Sequence, residues 1–177
     1  MKKDKGLKSF ELSSKFYNEI YSDKNTESEV DYLLNLSSKF GSSSKYILDF
    51  GCGTGRHSRL FFEKGRNVIG IDKSSQMIEN APLKKDNNKD ISMLLRNQDI
   101  SDLSSDYFDT VFALFHVFSY QTTDKEIYHL LENVWRVLKK NGLFIFDIWY
   151  SPAVCYQLPS KRTKCVTTKN GSKIKRV

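Results

Sequence analysis

Apolar residues fall along this chain in two alternating rhythms. Compact bulky runs occur at Tyr46–Phe50, Asn67–Asp72, Ile91–Leu95, Phe108–Leu114 and Leu143–Phe146. Each is too short for a typical helix and is bounded by polar or turn-forming residues, so each predicts a buried strand. Between them the period lengthens to that of a helix. Over residues 9–22, Leu12, Phe16 and Ile20 share one face, with Tyr17 and Tyr21 alongside. Thr26-Glu27-Ser28-Glu29 has the form of a capping box, followed by Val30, Leu33 and Leu34 and closed by Phe40-Gly41. These first two helices are expected to pack over a pocket mouth. A third runs from Arg56 to Lys64, with Leu60 and Phe61 inward and Gly65 as its left-handed stop. Ser74 caps a short one that holds Met77 and Ile78 and ends near Pro82; Lys84 to Asp90 then form a polar loop. Thr123-Asp124-Lys125-Glu126 is a second capping box, opening a helix that Asn141-Gly142 stops. Ile127, Leu130, Leu131, Val134, Trp135 and Leu138 make its apolar face. Strands alternating with helices through short turns predict an α/β domain, a parallel sheet with helices on both faces.

The 177 residues suit one domain: a helical cap over 1–44, a core over 45–150 and a basic carboxyl-terminal segment over 151–177. In that last segment Thr163–Thr168, Asn170-Gly171 and Ser172–Val177 predict a β-hairpin. The net charge of +7 is confined there. Seven basic residues and no acidic one follow residue 160, which leaves 21 Lys and Arg against 21 Asp and Glu before it. A neutral body with a basic tail does not favour nucleic acid as partner. Cys52, Cys155 and Cys165 show no C-x-x-C pairing, and no apolar run is long enough to span a membrane or serve as a secretory signal. Free thiols and a cytoplasmic location are the expectation.

The candidate chemistry begins where the first strand ends. Asp49-Phe50-Gly51-Cys52-Gly53-Thr54-Gly55 places an acid, then alternating glycines, at a strand-to-helix junction. There bare backbone admits a ligand and the next helix offers unpaired N–H groups. A dinucleotide fingerprint would need glycine at position 56, where Arg56 stands. Asp72 closes the second strand 21 residues past Gly51; it either takes ribose hydroxyls or caps the following helix. Asp99 either accepts from an adenine amine, with Ile100 packed on the ring, or caps the turn that Ser101 and Asp102 continue.

The phrases ILDFGCGTGRH, GIDKSSQMIENA, QDISDL, FDTVFALFHVFSY and VLKKNGLFIFDIW resemble, in order, the successive motifs of class I S-adenosylmethionine-dependent methyltransferases. The resemblance implies a three-layer sandwich with a Rossmann-like, mainly parallel sheet of order 3-2-1-4-5. It implies S-adenosyl-L-methionine as cofactor, S-adenosyl-L-homocysteine as product, and no catalytic metal. Carried over motif by motif, the cofactor residues are Tyr21, Asp49, Gly51, Cys52, Gly53, Gly55, Asp72, Lys73, Met77, Asp99, Ile100, Leu114 and Phe115. FYNEIYSDKNTESEV, FHVFSY and FDIWYSPAV look most like the small-molecule branch, which includes enzymes that methylate amino groups of nucleotide-linked deoxysugars. In that branch Tyr17 and Tyr120 match positions near cofactor and substrate, and His116 is a further catalytic candidate. Tyr120 stands where some of those enzymes carry histidine, and Thr26 where an aromatic is common. Leu114-Phe115-His116-Val117 lacks the Asn/Asp-Pro-Pro-aromatic signature of base-methylating relatives. An RNA or protein methyltransferase and a ligand-binding fragment are the alternatives. In the family two further sheet strands follow the hairpin; Val177 comes before either, so a truncated product or a homodimer through the carboxyl-terminal strands is expected.

Overall fold

The computed structural model describes residues 14–81, 92–158, 160–161, 163–168, 171 and 173–176. The expectations for Leu12, Pro82, Lys84–Asp90, Ile91, Asn170 and Val177 lie outside that set. Five strands form one parallel sheet in the order β3-β2-β1-β4-β5: β1 Tyr46–Phe50, β2 Asn67–Ile71, β3 Met93–Arg96, β4 Phe108–Ala113 and β5 Leu138–Phe146. The helices are α1 Tyr17–Ile20, α2 Thr26–Lys39, α3 Arg56–Glu63, α4 Ser75–Glu79, α5 Asp124–Val137 and α6 Ser151–Tyr156.

Alternation along β1 and β4 creates the layers. Ile47 and Phe112 face one side, where Val30 and Leu33 of α2 meet Phe61 and Phe62 of α3. The rings of Phe61 and Phe112 stack at 4.9 Å with 6° between planes. Full burial of each such side chain is worth about 1.5–3 kcal/mol. Leu48, Phe50 and Val111 face the other side against Leu130, Val134 and Val137 of α5. Thus α2 lies on a sheet face rather than over the pocket mouth, and only its first residue, Thr26, reaches the cleft described below.

Several local expectations are corrected. The cap of α2 is Asn25, whose Oδ1 accepts from Ser28 N at 3.0 Å, while Thr26 is already helical. Asparagine caps at least as well as threonine, so the neighbouring residue wins. Ser74 caps α4 through Met77 N as expected, and that helix runs to Glu79. The capping box at Thr123 and Glu126 forms fully.

Along α5, Leu131 is 40 % and Trp135 84 % exposed, whereas Leu130, Val134 and Val137 are buried. Each residue turns about 100° from the last, so the two stripes cannot both face the sheet. Asn141-Gly142 does not stop that helix. It ends at Val137, and Leu138 enters β5 directly. Pairing then jumps from Phe108↔Leu138 to Thr110↔Leu143, and the extra residues form an irregularity that contains Asn141 at φ 64°. A Cβ on Gly142 would stand 2.9 Å from the Lys139 carbonyl, which explains the glycine.

Beyond the sheet, β6 Lys164–Thr167 and β7 Lys173–Arg176 pair antiparallel as the expected hairpin. Helix α6, preceding it, was not foreseen. Lys164 Nζ ties the hairpin to Asp23 Oδ1 at 2.7 Å and to the Ile20 carbonyl.

Candidate cofactor and acceptor site

The loop after β1 is held from below by the end of β2. Gly51 N and Cys52 N donate to the Ile71 carbonyl at 2.8 and 3.0 Å, and Gly53 N donates to Asp72 Oδ2 at 2.8 Å. Gly51 and Gly53 have φ of 75° and 57°, a region costly for any residue with a Cβ. Asp72 also accepts from Ser74 N through Oδ1 at 2.8 Å, so one carboxylate fixes both the glycine loop and the entry to α4. Each oxygen retains acceptor capacity, since a carboxylate has about four lone-pair directions.

Above this loop opens a cleft with about 420 Å³ of empty space measured out to its mouth, the open solvent there included. Of the residues expected at the cofactor, Tyr21, Asp49, Gly51, Cys52, Leu114 and Phe115 line it, and so does Tyr17 from the catalytic set. Lys24, Thr26, Arg56 and His57 also line it, and the sequence reading did not select them as site residues. Arg56 and His57 open the first turn of α3, where side chains border whatever the helix terminus binds; that position was the available signal.

The other expected residues sit elsewhere. Gly55 caps α3. Met77 and Ile100 are buried at 4 % and 2 % exposure, and Ile100 belongs to the core with Leu103 and Phe108. Asp99 caps a 3-10 turn, accepting from Ser101 N at 3.0 Å, and Lys73 stands 3.7 Å from its Oδ2. Tyr120 is 59 % exposed. His116 is not among the lining residues, although its chain neighbour Phe115 is.

Charge in the cleft is arranged around a buried acid. Asp49 is 3 % exposed, and burial drives its carboxyl above the usual range; nearby His57 and the Ser58 hydroxyl, 2.6 Å from Oδ2, pull it back only in part. Burial likewise raises the Tyr17 phenol, aided by Tyr21 and opposed by Arg56. The Cys52 thiol is pushed up by burial and then by Asp49 and Asp72, so it remains a protonated, poor nucleophile.

At the rim Lys24 Nζ pairs with Glu29 at 3.0 Å and lies 3.9 Å over the Phe115 ring. His57 Nε2 meets the same Glu29 oxygen at 3.0 Å. The Arg56 guanidinium donates to the Tyr21 carbonyl at 2.6 Å, joining the turn after α1 to the glycine loop. Thr54 Oγ1 donates to Asn18 across the same seam at 2.8 Å. Phe115 and His116 both adopt left-handed backbone, with φ of 67° and 62°. For such residues this costs on the order of 1–2 kcal/mol each. The compensation is an anchor: His116 N donates to Asp147 Oδ1 at 3.0 Å.

A parallel sheet in this order, with a glycine loop after its central strand and an acid after the next, defines a Rossmann-like nucleotide-cofactor domain. The comparisons narrow that class. Residues 47–142, just over half the chain, match a methyltransferase domain family. YqeM of Bacillus subtilis is 33 % identical over 115 residues, covering 64 % of this chain and 46 % of its own length. The glycine/sarcosine N-methyltransferase of Parasynechococcus marenigrum is 31 % identical over 124 residues, with 68 % and 43 % covered. CalS10, an amino pentose methyltransferase from Micromonospora echinaspora solved with S-adenosylmethionine bound, superposes with a TM-score of 0.64. It shares 21 % identity, with 81 % of this chain and 58 % of that one covered, a likeness of fold. This chain belongs to that methyltransferase domain family, and its fold is that of class I S-adenosylmethionine-dependent methyltransferases. It spans less than half the length of the two curated relatives. Among the described residues no helix is long and apolar enough to cross a membrane.

Proposed function

We propose that this chain is the cofactor-binding part of an enzyme that transfers a methyl group from S-adenosylmethionine to a small molecule, the amine or hydroxyl of a sugar or nucleotide-sugar. The observation that carries the reading is the charge pattern of the cleft. The buried acid Asp49 and the cations Lys24 and Arg56 line one cleft together with the rings of Tyr17, Tyr21 and Phe115.

That donor set fits a zwitterionic amino-acid end joined to a sulfonium. Asp49 suits the ammonium and Lys24 with Arg56 the carboxylate. The aromatic faces attract a sulfonium as they do other cations. Asp72 keeps acceptor capacity for ribose hydroxyls. When bound, the cofactor supplies an already activated methyl group on sulfur. The protein's part is then to hold the acceptor in line and keep water out. Tyr17, protonated across the ordinary pH range, can donate a hydrogen bond to the acceptor but cannot serve as its base. The neutral charge balance of the first 160 residues favours a small acceptor over RNA.

Titration calorimetry with S-adenosylhomocysteine tests the reading. Binding is expected, and Asp72→Ala should weaken it about tenfold or more, the worth of charge-assisted hydrogen bonds. Binding of NAD in place of S-adenosylhomocysteine would reverse the conclusion. Turnover of amino-sugar nucleotides, with S-adenosylhomocysteine release as readout, tests the acceptor class.

A further inference from the structure

His116 stands between two residues that shape the cleft. Phe115 lines it, and Val117 packs against Gly51, where a Cβ would fall 2.5 Å from Val117 Cγ1. The His116 ring is stacked on Trp149, with 4.5 Å between centroids and 20° between planes. Its Nδ1 is sealed from solvent with no aligned hydrogen-bond partner, and Asp147 Oδ2 stands 3.2 Å away. The side chain as a whole nevertheless keeps 33 % of its surface, so the exposed part lies away from Nδ1. Asp147 Oδ1 accepts from the His116 backbone N–H, so one carboxylate, 31 positions away, sets one oxygen on the backbone and the other 3.2 Å from the ring of the same residue.

We propose that Asp147 is a positioning residue that keeps the hydrogen of His116 on Nδ1 and so leaves Nε2 as a proton acceptor beside the cleft. The inference rests on the methyltransferase reading above and adds a substrate class to it, an acceptor hydroxyl. An ionised carboxylate can only accept, so the ring nitrogen facing it carries the hydrogen. In a neutral imidazole the other nitrogen then holds the lone pair. As the hydroxyl oxygen bonds to the methyl carbon, the carbon–sulfur bond breaks with its electron pair left on sulfur. The hydroxyl proton moves to Nε2, and the positive charge lost at sulfur reappears on the ring, against Asp147. A neutral amine needs only placement, whereas a hydroxyl needs a group to take its proton. An oriented histidine therefore points to the hydroxyl. Trp149, stacked on one ring face, holds the plane of the ring.

The test is the tautomer of His116, read by long-range proton–nitrogen NMR at a pH where the ring is neutral. The signal is assigned by its loss in His116→Gln, and the protein is saturated with S-adenosylhomocysteine. A histidine free in water favours the Nε2–H form, so an Nδ1–H majority at His116 is the expected signature. Asp147→Asn still offers an oxygen to the His116 N–H but turns an NH₂ toward the ring. It should move the ratio toward Nε2–H by about tenfold or more. Asp147→Glu, which restores a carboxylate, should return it toward Nδ1–H. An Nε2–H majority in the unsubstituted protein, or a ratio unmoved by Asp147→Asn, overturns the proposal. The same spectra without ligand separate the two claims. Should calorimetry find no S-adenosylhomocysteine binding, the methyltransferase reading fails, while the ratio still decides the role of Asp147.

Discussion

Gly51→Ala should be far more harmful than Gly53→Ala, although both residues have left-handed backbone. A Cβ at Gly51 would lie 2.5 and 2.6 Å from the two methyl carbons of Val117 and 3.1 Å from its Cβ; at Gly53 nothing lies within 4 Å. The left-handed backbone costs each alanine about 1–2 kcal/mol. Overpacking against Val117 adds about 1–3 kcal/mol at Gly51 alone. The expected losses are thus about 2–5 kcal/mol for Gly51→Ala and about 1–2 for Gly53→Ala. A double-mutant cycle isolates the cause. Val117→Ala removes the two methyl carbons and leaves the backbone penalty untouched, so Gly51→Ala should cost about 1–3 kcal/mol less in that background. Urea denaturation followed by circular dichroism gives all four free energies. Additivity to within about 0.5 kcal/mol would mean that Val117 does not constrain the loop, and the packing argument fails.

The two stripes of α5 should behave differently in the same assay. Leu130→Ala is expected to cost about 2–5 kcal/mol and Trp135→Ala no more than about 0.5, and equal losses would restore Trp135 to the core. Asp109 offers a pH test. Partial burial works against its ionisation, yet Lys139 Nζ at 2.8 Å and Tyr46 N at 2.9 Å hold its carboxyl below the ordinary value. A depressed carboxyl stabilises the fold above its unfolded value of 3.8 and loses that stabilisation as pH falls through the folded one. Asp109→Asn should therefore cost about 1–3 kcal/mol at neutral pH, with the gap closing below about pH 4. A gap that widens on acidification contradicts the assignment.

What could be read from the sequence was local. The order of strands and helices, the Ser74 cap, the Thr123 capping box and the left-handed Gly65 each depend on residues within one turn. The errors arose where two local solutions compete. Asn25 and Thr26 are both competent caps, and only the path of the chain from Lys24 decides between them. Tyr128, Leu131 and Trp135 form an apolar stripe as regular as that of Leu130, Val134 and Val137, and only the sheet chooses the face. Asn141-Gly142 carries a turn signal that fits a helix stop or an irregular strand equally well. The rim cations were overlooked because Lys24 lies between helices and Arg56 was weighed only as a missing glycine.

Asp147 was passed over for a different reason, although its signal matches that of Asp49 and Asp72. All three lie at or just past the carboxyl end of a parallel strand, where an α/β sheet places its ligands. Two of them anchor residues whose backbone is left-handed. Asp72 takes the N–H of Gly53, and Asp147 takes the N–H of His116. A hydrogen bond to a charged group is worth about 1.5–3 kcal/mol, comparable with the conformational cost it offsets at His116. Glycine avoids most of that cost at position 53, so there the acid remains available to a ligand as well as to the loop. His116 has no such relief, and its backbone persists because Asp147, Trp149 and the neighbouring Val117–Gly51 contact act on it together.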